Sequence, residues 1–163
     1  MSKPEVADIQ RWSREVARDP GAPAFARLAA VYRRQGRRDA ALRVCLRGLQ
    51  RHPTHLDAHI LLGKLYLEAG DRVKASVEWG MVLRLDPDNF DALRGLGFAN
   101  LEQGDLDNAE RLLRRAQEVR PGERTVAAAL ELLEQRRHQV ESAAAAAWGR
   151  DGPGAAAGAA AGT

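Results

Sequence analysis

The chain has little of what secretion, metal binding or covalent chemistry depends on. Cys45 is its only cysteine, so no disulfide can close within the chain and no thiolate metal cluster can form in one copy. Aromatic residues make up 5%, too few for a surface built on base stacking. No apolar run approaches the roughly 20 residues that span a bilayer, and residues 1–18 lack the apolar stretch of a signal peptide, so the expected location is cytoplasmic. A glycine-rich phosphate loop, a His-Glu zinc helix and a serine elbow are all missing. His52, His55 and His59 come nearest to a ligand set, the last two being one helical turn apart. No fourth ligand has matching spacing, and His59 falls on a packing position. The paired carboxylates Asp86/Asp88 and Asp105/Asp107 sit at turns, where capping accounts for them. The expectation is a protein that is not an enzyme and needs no metal or other cofactor.

What is present is regular. Among 163 residues, 45% are hydrophobic and 29% charged, the balance of one folded unit. Residues 56–89 recur without a gap 34 positions earlier, at 22–55, and 34 positions later, at 90–123. Leu28, Leu62 and Leu96 fall in register, as do Gly36, Gly70 and Gly104, Ala41, Ala75 and Ala109, and Pro53, Pro87 and Pro121. Self-similarity at this period marks a solenoid of stacked helical pairs.

One unit shows the reason for each residue type. Ala58, Leu61, Leu62, Leu65 and Tyr66 lie on one helical face. Gly70 ends that helix, since glycine enters a left-handed cap without strain. A second helix carries Val73, Ala75, Val77, Trp79, Val82 and Leu83 until Asp86-Pro87 stops it. Gly63 and Gly97, with Ala29 in the first copy, and Ala75 leave room for paired helices to approach, and Tyr66 and Trp79 are expected to fill the space towards neighbouring units.

Leu62-Gly63, Tyr66, Gly70, Ala75, Trp79, Leu83 and Asp86-Pro87 resemble the signature of the tetratricopeptide repeat. The resemblance covers residues 22–123. It implies an all-α fold, a right-handed superhelical solenoid of antiparallel helix pairs with three full repeats and a capping helix at each end. The expected divisions are an N-terminal helix in 1–21, repeats at 22–55, 56–89 and 90–123, a capping helix at 124–142 and an Ala/Gly-rich disordered tail at 143–163. Departures are local: Asn100 stands for the tyrosine in the third copy, Cys45 and Leu113 stand where Trp79 does, and Gly48 replaces a helix-favouring alanine.

At the N-terminus, Ser2 is placed to cap a helix running to Arg18, with Val6, Ile9, Trp12 or Ser13, and Val16 on its apolar side. Trp12 precedes Pro20 as Trp79 precedes Pro87, so this helix reads as the remnant of an earlier repeat covering the first unit; a free amphipathic arm is the alternative. At the other end Thr125 is expected to cap a helix with Val126, Ala129, Leu130, Leu133 and Val140 on one side. Glu131 replaces the small residue of earlier copies, as befits a wet outer face. Alanines could extend that helix as far as Trp148.

Charge is unevenly spread. The formal net charge is +3, yet Lys and Arg exceed Asp and Glu by seven in residues 22–55 alone, while each of the next two repeats is at −2. Arg37, Arg38, Arg43, Arg47 and Arg51 belong to this basic patch, the last three spaced by four along one helix. It could be a solvated exterior or the docking site of an acidic surface or nucleic acid.

The resemblance also implies that the first helix of each unit lines a concave groove. The inward positions are Ala26, Ala30 and Arg33, then Ile60, Lys64 and Leu67, then Arg94, Phe98 and Leu101. Ile60, Leu67, Phe98 and Leu101 would form an apolar floor for a peptide or helix of a partner protein, with Arg33, Lys64 and Arg94 holding its carboxylates. Phe98 could instead pack against the capping helix. Asp57, Asp91 and Glu102 at the rim would repel an indiscriminately acidic ligand. Some tetratricopeptide domains clamp the terminal carboxylate of chaperones with lysine, asparagine and arginine; the matching positions here hold Ala26, Ala30, Leu61, Asp91 and Gly95, so that clamp is absent. The expected role is an adaptor or scaffold for another protein. A nucleic-acid or acidic-surface partner for the first repeat is the alternative, and pairing of exposed end helices would give a homodimer.

Overall fold

A computed structural model describes residues 6–151. They form eight helices and no strand: α1 (Val6–Arg18), α2 (Phe25–Arg34), α3 (Arg38–Arg51), α4 (Leu56–Glu68), α5 (Arg72–Leu85), α6 (Phe90–Gln103), α7 (Leu106–Val119) and α8 (Arg124–Asp151). The residues proposed to cap α1 at Ser2 lie outside the described set. Within each unit the helices form a hairpin, α2 with α3, α4 with α5 and α6 with α7, and each second helix packs on the next unit's first helix. First helices also touch in series, α2 on α4, α4 on α6 and α6 on α8. That series makes a continuous layer of first helices, the side expected to be the inner wall, with α3, α5 and α7 in a second layer.

The turns follow from local chemistry. Gly36, Gly70 and Gly104 have φ of 75°, 81° and 82°, the left-handed geometry that lets the first helix stop and the chain reverse in two residues. Side chains cap the helices that follow: Asp71 accepts from the Lys74 backbone N–H, Asn89 from Ala92 and Asp105 from Asn108. Hydrogen bonds from the Asn108 side chain and backbone hold the Asp105 carboxyl below its ordinary value. Asp86 accepts from the Asn89 amide, and Asp88 and Asp107 pair with Arg115 and Arg137. All four turn carboxylates therefore serve caps or ion pairs.

The core repeats a small-against-large rule. Trp79 is 1% exposed, and its indole lies in a slot between Gly63 of its own hairpin and Gly95 of the next unit; a Cβ on either glycine would come within 2.3 Å or 2.7 Å of the ring. Gly97 faces Leu113 in the same way. Gly48 faces the Phe25 ring, which a Cβ would approach to 2.1 Å. The glycine that reads as a loss of helix propensity is thus the space Phe25 occupies.

This yields a contrast in sign. Gly80, midway along α5, has nothing near a would-be Cβ. Gly80→Ala is expected to stabilise by about 0.5–1 kcal/mol through helix propensity. Gly48→Ala carries the same propensity gain but overpacks Phe25, and is expected to destabilise by about 1–3 kcal/mol. Urea melts of the two variants check it; two shifts in the same direction would refute the slot.

Cys45 fills the Trp79 position of the first unit and is fully buried. Burial, with the nearby Glu78 charge adding to it, pushes its thiol up to about 12. A thiol held protonated is a poor nucleophile. Native protein is expected to resist labelling by iodoacetamide at neutral pH and to react fully in denaturant, as intact mass would report.

Each end departs from the sequence reading in detail. On α1 no described residue is buried, and Val6 is exposed, but Ile9, Trp12 and Val16 are half-buried. The helix lies against α2, with the Ser13 and Tyr32 hydroxyls 3.3 Å apart and Val16 packed on Phe25, Ala26 and Ala58. At the other end α8 begins at Arg124, not behind a Thr125 cap; the Thr125 hydroxyl donates to Glu123, whose carbonyl receives the first helical N–H groups. Val126, Ala129 and Leu133 are buried against α6 and α7. The helix then runs past the expected boundary at 142 to Asp151, because Ala143–Ala147 is the strongest helix-forming composition available. Residues 152–163 of the expected tail lie outside the described set.

Candidate functional site

The inner wall is where the inward positions of α2, α4 and α6 meet. Ala26 is buried and Ala30 half-buried. Ile60 and Leu67 are half-buried, packing on the cluster around Trp79, Val82 and Ala92 while keeping an accessible edge. Phe98 is also half-buried and rests on the cluster that includes Val126 and Leu133, so its ring both supports α8 and borders the wall. Leu101 is a correction: it is 2% exposed and belongs to the core. Its carbonyl accepts from the Arg136 guanidinium of α8 at 2.5 Å, which seals the floor at that point.

The three wall cations are engaged with carboxylates of the chain itself. Arg33 holds Glu68 across the α2–α4 seam, through Nε at 2.8 Å and a terminal nitrogen at 2.5 Å. Lys64 reaches Asp91 across the α4–α6 seam at 3.0 Å, and Arg94 approaches the same carboxylate at 3.3 Å. Pairs about one-third exposed contribute roughly 0.2–1 kcal/mol each, so they orient the wall more than they hold the fold. Asp91 is therefore not a free repulsive rim charge. Burial opposes its ionisation, but the Lys64 hydrogen bond and the Lys64, Arg94 and Arg120 charges outweigh that and hold its carboxyl below the ordinary value. Arg120 and Arg94 also stack on Phe90, at 4.3 Å and 5.4 Å from its ring centre. Three cations thus gather around one carboxylate and one buried ring.

Sequence reasoning missed Glu68 and Arg120 as parts of this wall. A signal existed: Arg33 and Glu68 are 35 residues apart, and Lys64 and Asp91 are 27 apart. The first offset is close to one repeat and the second about two helical turns short of it, and both join the first helices of adjacent units.

The basic patch of the first unit divides. Arg38 shares Glu68 at 3.5 Å, and Arg37 lies over the Tyr32 ring at 4.4 Å. Arg43, Arg47 and Arg51 are exposed on the outside of α3. The three histidines do not converge. The His52 ring meets the Gly21 carbonyl, and His55 Nδ1 accepts from the Ala58 N–H as a helix cap. His59 is 7% exposed, with Nδ1 2.6 Å from Glu78 and Nε2 2.9 Å from the Pro53 carbonyl. Among the described residues no group of His, Cys, Asp and Glu could hold a metal ion, and no helix is long and apolar enough to cross a membrane.

Two family models described as tetratricopeptide repeat match this chain, at residues 22–65 and 81–133, together more than half of its length. The chain belongs to the tetratricopeptide repeat family. Solved structures with this fold include MamA, 18% identical with a TM-score of 0.73, where the match covers 80% of this chain and 77% of that one. The first tetratricopeptide domain of Spaghetti (RPAP3), bound to the HSP90 peptide SRMEEVD, is 18% identical with a TM-score of 0.69, covering 72% of this chain and 94% of that one. A tetratricopeptide repeat protein from Parabacteroides merdae is 21% identical with a TM-score of 0.70, covering 82% of this chain and 54% of that one. Curated protein sequences give no match. Tetratricopeptide repeats make this chain a protein-interaction module; the place and chemistry of binding are a separate matter.

Proposed function

We propose that this tetratricopeptide chain is a non-enzymatic cytoplasmic adaptor whose inner wall binds a peptide or helix of a partner protein. The observation that carries the reading is the gathering of Lys64, Arg94 and Arg120 around the single carboxylate of Asp91. Beside it stand the accessible edges of Ile60, Leu67 and Phe98. A partner carboxylate entering there meets more positive than negative charge, and its neighbouring apolar side chains meet an apolar floor. Arg94 and Phe98 are the side chains with most to contribute, since arginines and aromatics dominate interface energy. Arg33 contributes at the first seam once a ligand carboxylate displaces Glu68 from it. The terminal-carboxylate clamp is missing, so the ligand is an internal segment with apolar and acidic residues and not a chaperone tail.

Partner capture from extract on the immobilised protein, repeated with Lys64→Glu/Arg94→Glu, tests this. Recovery of the partner is expected to fall roughly tenfold or more, because reversing charges at a desolvated contact raises the dissociation rate. Equal recovery by both proteins, with matching circular dichroism, would remove the inner wall from consideration.

A further inference from the structure

The outer helices differ between units in a way that the fold does not require. At three outward positions α3 carries Asp39, Arg43 and Arg47, and α7 carries Asp107, Arg111 and Arg115. On α5 the same positions hold Val73, Val77 and Met81. Val73 is 74% exposed and Val77 59%. Gly80, between Val77 and Met81, leaves open space where a side chain would stand, a notch on this side, and Leu46 of α3 is 41% exposed. Single exposed valines are ordinary, but an apolar stripe one turn apart, where both neighbouring helices are charged, marks a surface that meets something.

The charges on this side are mostly basic, with Asp39 the one exposed carboxylate in the row of Arg43 and Arg47. Arg43 and Arg47 of α3 and Arg84 of α5 are exposed. Three nearby carboxylates are occupied, Glu68 by Arg33 and Arg38, Glu78 turned inward on His59, and Asp71 on Lys74, which leaves Asp39 alone against Arg43, Arg47 and Arg84. Among the described residues no ion pair involves these three arginines.

We infer that the outer face of α3 and α5 docks an acidic amphipathic helix of a partner protein, its apolar stripe on Val73, Val77 and Leu46 and its carboxylates on Arg43, Arg47 and Arg84. The notch at Gly80 accepts a side-chain ridge of that helix, as helix packing demands. A membrane surface would call for aromatic and bulky side chains that this face lacks. A phosphate backbone would use the arginines and gain nothing from the valines. This site lies on the opposite side of the unit from the inner wall and goes beyond the groove reading.

A labelled synthetic helix of about 18 residues, five turns long, with leucines at i, i+3, i+4 and i+7 and glutamates along both flanks, is the probe. Its twin carries lysines in place of the glutamates. Fluorescence anisotropy with the full chain is expected to show binding of the glutamate helix only. Its affinity should fall roughly tenfold for Val77→Asp and for Arg43→Glu/Arg47→Glu, exposed changes whose folding is checked by thermal melts, and stay unchanged for Lys64→Glu/Arg94→Glu. Equal binding of both helices, no binding, or a loss confined to the groove variant would overturn the inference. So would stronger binding to phosphatidylserine vesicles or duplex RNA that Val77→Asp leaves intact. Because the groove variant is measured alongside, failure here and failure of the inner-wall reading give different patterns.

Discussion

Trp79→Ala is expected to lower the unfolding free energy by about 3–5 kcal/mol, the range for emptying a large buried site. Against a total of roughly 5–15 kcal/mol for a domain, that is a substantial part of what holds the stack. The expectation rests on the indole's place between Gly63 and Gly95 in two successive units. Both facing residues are glycines, which have no side chain to move into the vacated slot. A second variant separates packing from polarity. Among the described residues the buried indole N–H has no hydrogen-bond partner, and an orphaned buried donor costs about 1–3 kcal/mol. Trp79→Phe loses volume but removes that donor, so it is expected to destabilise far less than alanine. Denaturant titration followed by far-ultraviolet circular dichroism gives both values; equal losses for the two variants would contradict the slot.

A chain ending after Glu123 is expected to be destabilised by about 4 kcal/mol or more, from loss of the buried Val126 and Leu133 side chains and exposure of what they cover. Those residues close the cluster containing Phe90, Leu93 and Leu112, with Phe98 packed beside it. Once uncovered, that apolar face should drive self-association, visible in sedimentation. A chain ending after Arg137 is the control. Residues 138–148 are all exposed, so their removal is expected to leave the melting temperature nearly unchanged. A chain ending after Glu123 that melts like the whole protein would show that α8 does not cap the stack.

Periodicity makes most of the fold legible in the sequence. Gly36, Gly70 and Gly104, in register across the three copies, are the left-handed turn residues, and Leu28 and Leu62 are core residues at 2% and 1% exposure. The same alignment held information that propensity reasoning misread. Gly48 looks like a weak helix residue until Phe25 is placed opposite it, because a propensity scale sees one helix and packing needs two. The candidate wall was half legible. Which face points inward follows from the repeat, so Ile60, Lys64, Leu67, Arg94 and Phe98 were nameable as a set. Leu101 was not separable from them, because its burial depends on where α8 crosses. Nor could the residues say that Arg33, Lys64 and Arg94 would be met by Glu68 and Asp91, since side-chain reach across a seam depends on how far one unit rotates against the next. His59 illustrates the same limit: its packing position was readable, but its Glu78 partner, 19 residues away on the other arm of the hairpin, was not.

The unequal fillers of the three hairpins have a mechanical consequence. Cys45, Trp79 and Leu113 occupy one equivalent buried position, each fully or almost fully buried, yet they differ greatly in size. In an array whose members are secured only by adjacent members, tension or heat finds the weakest link first. Cys45 offers the least contact there, so the rod should unzip from its amino-terminal side, letting α1 and the first hairpin detach as one body while Trp79 keeps the remaining two latched.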